Sequence, residues 1–168
     1  MIFHLRWIIL ICLALGTGYA LFGPEDFLVN TTHSMPLGLY YRTATPIRKG
    51  SLVSYRLDVQ SPAQRLGVER GYDRGGVPLL KRVVAACGDT VSVRANGVFV
   101  DGVLIPNSLP EVNDKQSRKL ERVPLEDYTL RPGEAFLAGD TSTSWDSRYF
   151  GTVSVTNCTA FSPVFTWR

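Results

Sequence analysis

The chain has 168 residues, a length for roughly one domain. With 45% hydrophobic and 20% charged residues it has the composition of a folded globular protein, not of a disordered tail. Lys and Arg number 18 against 15 Asp and Glu, a net charge of +3 without a dense basic stripe, which argues against a nucleic-acid binder. The three cysteines and two histidines show no zinc-ligand spacing, and neither a GxGxxG nor a GxxxxGKS/T run occurs. No metal, dinucleotide or nucleotide cofactor is therefore expected.

Residues 1–22 form a leader. His4 and Arg6 open it, an apolar run follows over 7–22, and Glu25 and Asp26 come directly after. Positive before and negative after predicts a cytoplasmic N-terminus and an exported remainder. As a helix the run would span about 24 Å, against a hydrocarbon core of ~30 Å. Residues 7–15 fit the apolar region of a signal peptide, and Gly18-Tyr19-Ala20 fits a small-x-small cleavage site. Cleaved signal peptide and retained membrane anchor both stand. Cys12 lies in the leader, which leaves Cys87 and Cys158 in an oxidising compartment, either as one disulfide or as two buried thiols.

The part from about Gly23 reads as mainly β. Strands are predicted over 27–29, 38–42 and 52–57, a short helix over 62–70, and a strand over 79–86. Val91, Val93 and Ala95 then alternate with Ser92 and Arg94, the period of a half-buried strand. Asn96-Gly97 and Asp101-Gly102 are hairpin turns, so the strands at 91–95, 98–100 and 103–105 make a meander. Residues 106–124 mix Lys, Arg, Asn and Pro without a period and predict a surface excursion. Strands over 135–138, 152–155 and 159–165 complete the chain. One β domain of antiparallel sheets over 23–168, behind one N-terminal hydrophobic helix, is the expected architecture.

Hydrolase chemistry needs a nucleophile and a base. His4 is in the leader, and His33 adjoins Ser34, where neighbours on an extended chain point in opposite directions. A Ser-His-Asp triad is thus disfavoured, and a lysine is the alternative base. Lys81 interrupts the apolar run 78–86, and strand alternation puts it on the face of Leu79, Val83 and Ala85, with Arg82 on the other. If that face is the inner one, burial lowers the lysine pKa and makes it a base near neutral pH. By itself the strand fits better an edge strand whose lysine faces water. Ser34 stands before Pro36 and Gly38, which suits a serine presented at a strand end or a plain polar turn. Residues 139–151 pack Ser144, Asp146, Ser147, Arg148 and three aromatics between two glycines.

These segments, in this order after an export signal, resemble the serine–lysine signal peptidase family. That family carries a Ser-Met box after a membrane segment, a Lys-Arg-Val box leading to Gly-Asp, and a final Gly-Asp with Ser-x-Asp-Ser-Arg-Tyr. The counterparts are Ser34-Met35, Lys81-Arg82-Val83 with Gly88-Asp89, and Gly139-Asp140 with Ser144-Trp145-Asp146-Ser147-Arg148-Tyr149. Ser34-x-Pro36-x-Gly38-x-Tyr40 is similar to the TraF-type conjugative-transfer branch. Housekeeping signal peptidases usually place two residues between Ser and Pro, and usually have Asn-Arg where Thr141-Ser142 stands.

The resemblance implies a signal-peptidase-like β domain in which Ser34 is the nucleophile and Lys81 its general base. It implies that Thr32 supplies an oxyanion hydroxyl, that Ser144 orients the lysine amine, and that Asp146 and Arg148 brace the wall as an ion pair, Asp146 being associated with activity. It implies no cofactor. It further implies a periplasmic enzyme facing or anchored to the bacterial inner membrane, with a pilin precursor as substrate. C-terminal cleavage and head-to-tail joining of that pilin, within a conjugative type IV secretion apparatus, go with it. Two other functions stay open: a general type I signal peptidase, and a catalytically silent periplasmic scaffold of the transfer apparatus.

Overall fold

The computed structural model describes Trp7 and residues 23–58, 60–72 and 77–167. The hydrophobic helix expected over 1–22 lies, Trp7 apart, outside the described residues. Among the described residues no helix is long and apolar enough to cross a membrane.

The described residues form two antiparallel sheets. The larger contains β1 (Phe27–Asn30), β2 (Leu37–Arg42), β3 (Leu52–Tyr55), β4 (Leu79–Ala86), β9 (Glu134–Ala138), β10 (Val153–Ser154) and β11 (Cys158–Trp167). Its order is β1-β2-β11-β3-β4-β9-β10. The smaller contains β5 (Thr90–Arg94), β6 (Gly97–Val100), β7 (Val103–Leu104) and β8 (Tyr128–Thr129), in the order β7-β6-β5-β8. The meander is present as β5-β6-β7, with Val91 opposite Val100 and Phe99 opposite Leu104. β8 carries no sequence signal, since two residues are too few to show a period. The expected helix is α1 (Pro62–Glu69), with proline in its first turn, where a missing N–H costs nothing. A second helix, α2 (Ser147–Phe150), was not legible, because a single turn held by tertiary contacts has no amphipathic period.

β9 shows how the two cores are separated. Its alternate residues Ala135 and Leu137 join Val53, Val83 and the aromatics Trp145, Tyr149 and Phe150, while Phe136 and Ala138 join the valines of the small sheet. Lys81 and Val83 alternate on β4 as expected, but the pairing with β9 shifts between Val83 and Ala85. This bulge moves Ala85 into the second core, so it does not share the Lys81 face as strict alternation predicts. A third cluster of Met35, Tyr40, Leu80 and Phe161 anchors the β1–β2 connection on the large sheet. Cys87 and Cys158 are both free thiols, so the disulfide reading does not hold; Cys87 lies exposed in the turn after β4.

Residues 106–124 are an excursion, mostly exposed, and are pinned to the rest of the fold. Asn107 Nδ2 donates to the Asp140 carbonyl at 3.2 Å, and the Val123 N–H donates to the Arg148 carbonyl at 2.9 Å.

Candidate active site

Two connections and a strand of the large sheet meet at the site. The 31–36 turn between β1 and β2 carries Ser34, β4 supplies Lys81, and the 139–146 loop after β9 supplies the third wall. Lys81 Nζ donates to Ser34 Oγ at 2.9 Å, across 47 positions of sequence. Lys81 sits opposite Val53 of β3 in the sheet interior and is only 3% exposed. Burial lowers its pKa from the ordinary lysine value to about 8; Asp146 and Asp140 oppose this, and Arg148 adds to it. A desolvated amine next to a serine hydroxyl can exist as a free base near neutral pH, and then it can accept the hydroxyl proton.

The nucleophile turn is held from three sides. The Asp140 N–H donates to the Ser34 carbonyl at 2.7 Å. Tyr40, fully buried on β2, donates its hydroxyl to the Pro36 carbonyl at 2.6 Å. Asn30, at the end of β1, donates through Nδ2 to the carbonyls of Thr32, Met35 and Pro36 at 2.9, 3.0 and 2.9 Å. Gly139 explains how closely the third wall approaches. A Cβ there would stand 2.3 Å from Ser144 Oγ and 2.8 Å from the Ser34 carbonyl oxygen, so a side chain is sterically excluded.

Asp146 and Arg148 form a fully buried pair. Arg148 Nε donates to Asp146 Oδ1 and Nη2 to Oδ2, each at 2.8 Å. The remaining guanidinium protons go to the carbonyls of Leu109, Ser142, Thr141 and Ser144 at 2.9–3.1 Å. Asp146 Oδ2 also accepts the Gly139 N–H at 2.9 Å. The pair thus fixes the 139–146 loop from inside, and every charged lone pair and proton has a partner, which a buried ion pair requires. Arg82, half-buried and next to Lys81 on β4, pairs with Asp140 at 3.3 Å.

Two expected contacts take a different form. Ser144 is buried behind Gly139, and its Oγ has no hydrogen-bond partner among the described residues, so it does not bond to the Lys81 amine. The Thr32 hydroxyl lies 3.3 Å from Ser34 Oγ, but its proton is given to Asn30 Oδ1 at 2.9 Å. Donating into an oxyanion would require that hydroxyl to swing off Asn30. Asn30 itself was missed as a site residue. The available signal was an asparagine two residues before a threonine at a strand end, the spacing of a side chain that closes a turn on its own backbone.

This architecture, a buried lysine on a strand of an antiparallel β fold against a serine on a turn, defines a serine–lysine arrangement of the signal peptidase class. The chain belongs to that family: the family model described as "Signal peptidase, peptidase S26" matches residues 3–167. Within it the chain is similar to two Escherichia coli proteins named plasmid transfer protein TraF. They are 41% identical over 146 and 150 residues, covering 83% of this chain and 82% of each relative. It is also 32% identical over 153 residues to the conjugal transfer protein TraF of Agrobacterium fabrum, covering 84% of this chain and 83% of that one.

Proposed function

We propose that the chain is a serine endopeptidase of conjugation, with Ser34 as nucleophile and Lys81 as general base, and that it matures a conjugative pilin by removing a C-terminal peptide. The observation that carries this reading is the 2.9 Å contact between Lys81 Nζ and Ser34 Oγ at an amine withdrawn from water. The plasmid-transfer names of relatives at 41% identity and the conjugal-transfer name of a relative at 32% identity support the biological setting.

In the proposed reaction the neutral Lys81 amine takes the Ser34 proton as Oγ attacks the scissile carbonyl carbon. The oxyanion then meets the Ser34 N–H; one such donor is worth about 3 kcal/mol in the transition state. The Lys81 ammonium returns its proton to the departing amine, the C–N bond breaks, and an acyl-enzyme remains on Ser34. Attack by water, with Lys81 taking its proton and returning it to Ser34 Oγ as the ester bond breaks, gives a hydrolysed pilin. Attack by the pilin's own N-terminal amine, whose proton passes through Lys81 to Ser34 Oγ as the ester bond breaks, gives a head-to-tail ring. Tethering favours the ring, with effective concentrations up to ~10⁵ M or more for a well-oriented group.

The inner membrane surface is the proposed location. One face of the β1-β2-β11 end of the sheet presents Phe27, Val29, Leu39, Phe165 and Trp167, with Val29 opposite Leu39 and Leu39 opposite Phe165. Phe27, Val29, Phe165 and Trp167 are 41–65% exposed, and β1 starts five residues after the apolar leader ends. Such a face, on a strand that follows the leader in sequence, suits contact with a bilayer that also holds the pilin precursor.

Intact-mass spectrometry of the membrane-embedded pilin precursor, incubated with the wild-type protein or with Ser34→Ala, tests the reading. Loss of a C-terminal peptide only with the wild type supports it. One further water missing from the product means ring closure, and a retained water means hydrolysis. An unchanged precursor with the wild type overturns pilin maturation in favour of a general signal peptidase or a silent scaffold.

A further inference from the structure

Asn30 is 5% exposed and has every hydrogen-bonding group of its side chain engaged on the nucleophile turn. Its two faces can be told apart. Nδ2 meets three carbonyl oxygens, which only accept; Oδ1 meets the Thr32 N–H at 3.2 Å, which only donates. The carboxamide therefore has one orientation.

That orientation fixes the proton of Thr32. Oδ1 has no proton, so across the 2.9 Å contact Thr32 Oγ1 is the donor. Thr32 then offers Ser34 Oγ only lone pairs, across 3.3 Å. While Lys81 is an ammonium and donates to Ser34 Oγ at 2.9 Å, the Ser34 proton points to Thr32, away from the lysine. Donation runs one way, from Lys81 to Ser34 to Thr32 to Asn30, and ends in a pure acceptor. Once Lys81 is neutral, its lone pair at 2.9 Å outcompetes Thr32 at 3.3 Å for the Ser34 proton, because an O–H donor bond weakens beyond its usual length of about 2.7–3.0 Å. Throughout, the Thr32 proton stays on Asn30 and does not blunt the Ser34 lone pair.

We propose that Asn30 is a positioning residue for this site: its carboxamide closes the 31–36 turn and holds the Thr32 hydroxyl turned away from Ser34 Oγ, so that the Ser34 proton can turn to Lys81. The proposal rests on the Ser34–Lys81 reading above. Asn30 touches no reacting atom; it acts through Thr32 and the turn backbone.

The test assays Asn30→Ala, Thr32→Val and the double variant on the pilin precursor, with Ser34→Ala as control, over pH 6–10. Asn30→Ala should lower the kcat plateau at least tenfold, leave KM within about threefold, and leave the acid limb of the pH profile where the wild type has it. In the Thr32→Val background the same substitution should cost less than it does alone, because the hydroxyl it restrains is gone. A kcat plateau within twofold of wild type while Ser34→Ala is inactive would overturn the proposal. So would full additivity with Thr32→Val, and so would an acid limb displaced towards the free-lysine value, which would mean general loosening around Lys81. If Asn30→Ala fails to fold, the isosteric Asn30→Asp, which cannot donate to the three carbonyls, is held to the same outcomes. If Ser34→Ala cleaves as well as wild type, the dyad reading itself has failed. The turn is then read without substrate, by hydrogen exchange of the Thr32 and Asp140 amides. At least tenfold faster exchange in Asn30→Ala supports closure of the turn by Asn30, and unchanged exchange overturns it.

Discussion

The Lys81 amine reaches the Ser34 hydroxyl from inside the large sheet, on a strand that lies between β3 and β9, with Val53 of β3 directly opposite Lys81. The same burial that brings the two together takes the amine out of water and lowers its pKa to about 8. Position and protonation state therefore have one cause.

Lys81→Arg and Lys81→Met should both abolish cleavage, each to the level of Ser34→Ala. Arginine stays charged at every accessible pH and cannot accept a proton, and methionine has no basic nitrogen. Pilin cleavage followed by mass spectrometry checks this. Activity in Lys81→Arg would sink the general-base role.

Activity should rise with pH. Lys81 must be neutral, so below a midpoint near 8 each unit of falling pH should lower the rate about tenfold, with a plateau above. At pH 6 the rate should be about one hundredth of the plateau. The partners of the buried pair move the midpoint in opposite senses. Asp146 raises the Lys81 pKa, so Asp146→Asn should shift the midpoint down; Arg148 lowers it, so Arg148→Met should shift it up. A pH–rate profile for each variant measures both signs.

Arg148→Met should also destabilise the fold by about 3–5 kcal/mol, the cost of leaving one buried partner charged and alone. Four carbonyls of the 139–146 and 106–124 segments lose their donor at the same time. Urea unfolding of wild type and variant reads this difference.

Gly139→Ala should be inactive or nearly so. The added Cβ meets the Ser34 carbonyl and the Ser144 side chain well inside contact distance, and overpacking of this kind costs about 1–3 kcal/mol. Because the clash falls on the nucleophile turn, kcat should fall more than thermal stability suggests. Steady-state kinetics beside a thermal melt separates the two.

Of the two cysteines in the described residues, Cys87 should alkylate at pH 8 and Cys158 should resist. Burial pushes the Cys158 thiol up to about 11, leaving little thiolate, whereas Cys87 is exposed. Peptide mass mapping after iodoacetamide treatment tests it.

Much of the site was legible before folding. The Asn96-Gly97 and Asp101-Gly102 turns predict the meander, because hairpin turns demand residues that tolerate positive φ, as Asp101 and Gly102 do at 51° and 77°. Alternation on β4 separates Lys81 from Arg82, and Arg82 stays half-buried on the other face, pairing with Asp140. The motif order names Ser34, Lys81, Asp146 and Arg148 as one constellation. All of these are signals carried by a few neighbouring residues, where backbone sterics and period are enough.

What the tertiary structure alone decided are matters of partnership. Whether Lys81 faces water or Ser34 depends on β4 lying between β3 and β9 and not at an edge, and on the 31–36 turn reaching the amine; those strands come from positions 52–55 and 134–138. The bulge that sends Ala85 to the other core arises from the pairing of β4 with β9, not from either strand by itself. Asn30 became a site residue only when the turn folded back over its carboxamide, and Ser144 lost its expected bond to the lysine only when Gly139 drew it behind the wall. The residue types and their order define the chemistry available, since those are covalent facts of the chain. Which lone pair meets which proton is decided by packing between segments far apart in sequence, because desolvation and hydrogen-bond direction exist only once those segments are in contact.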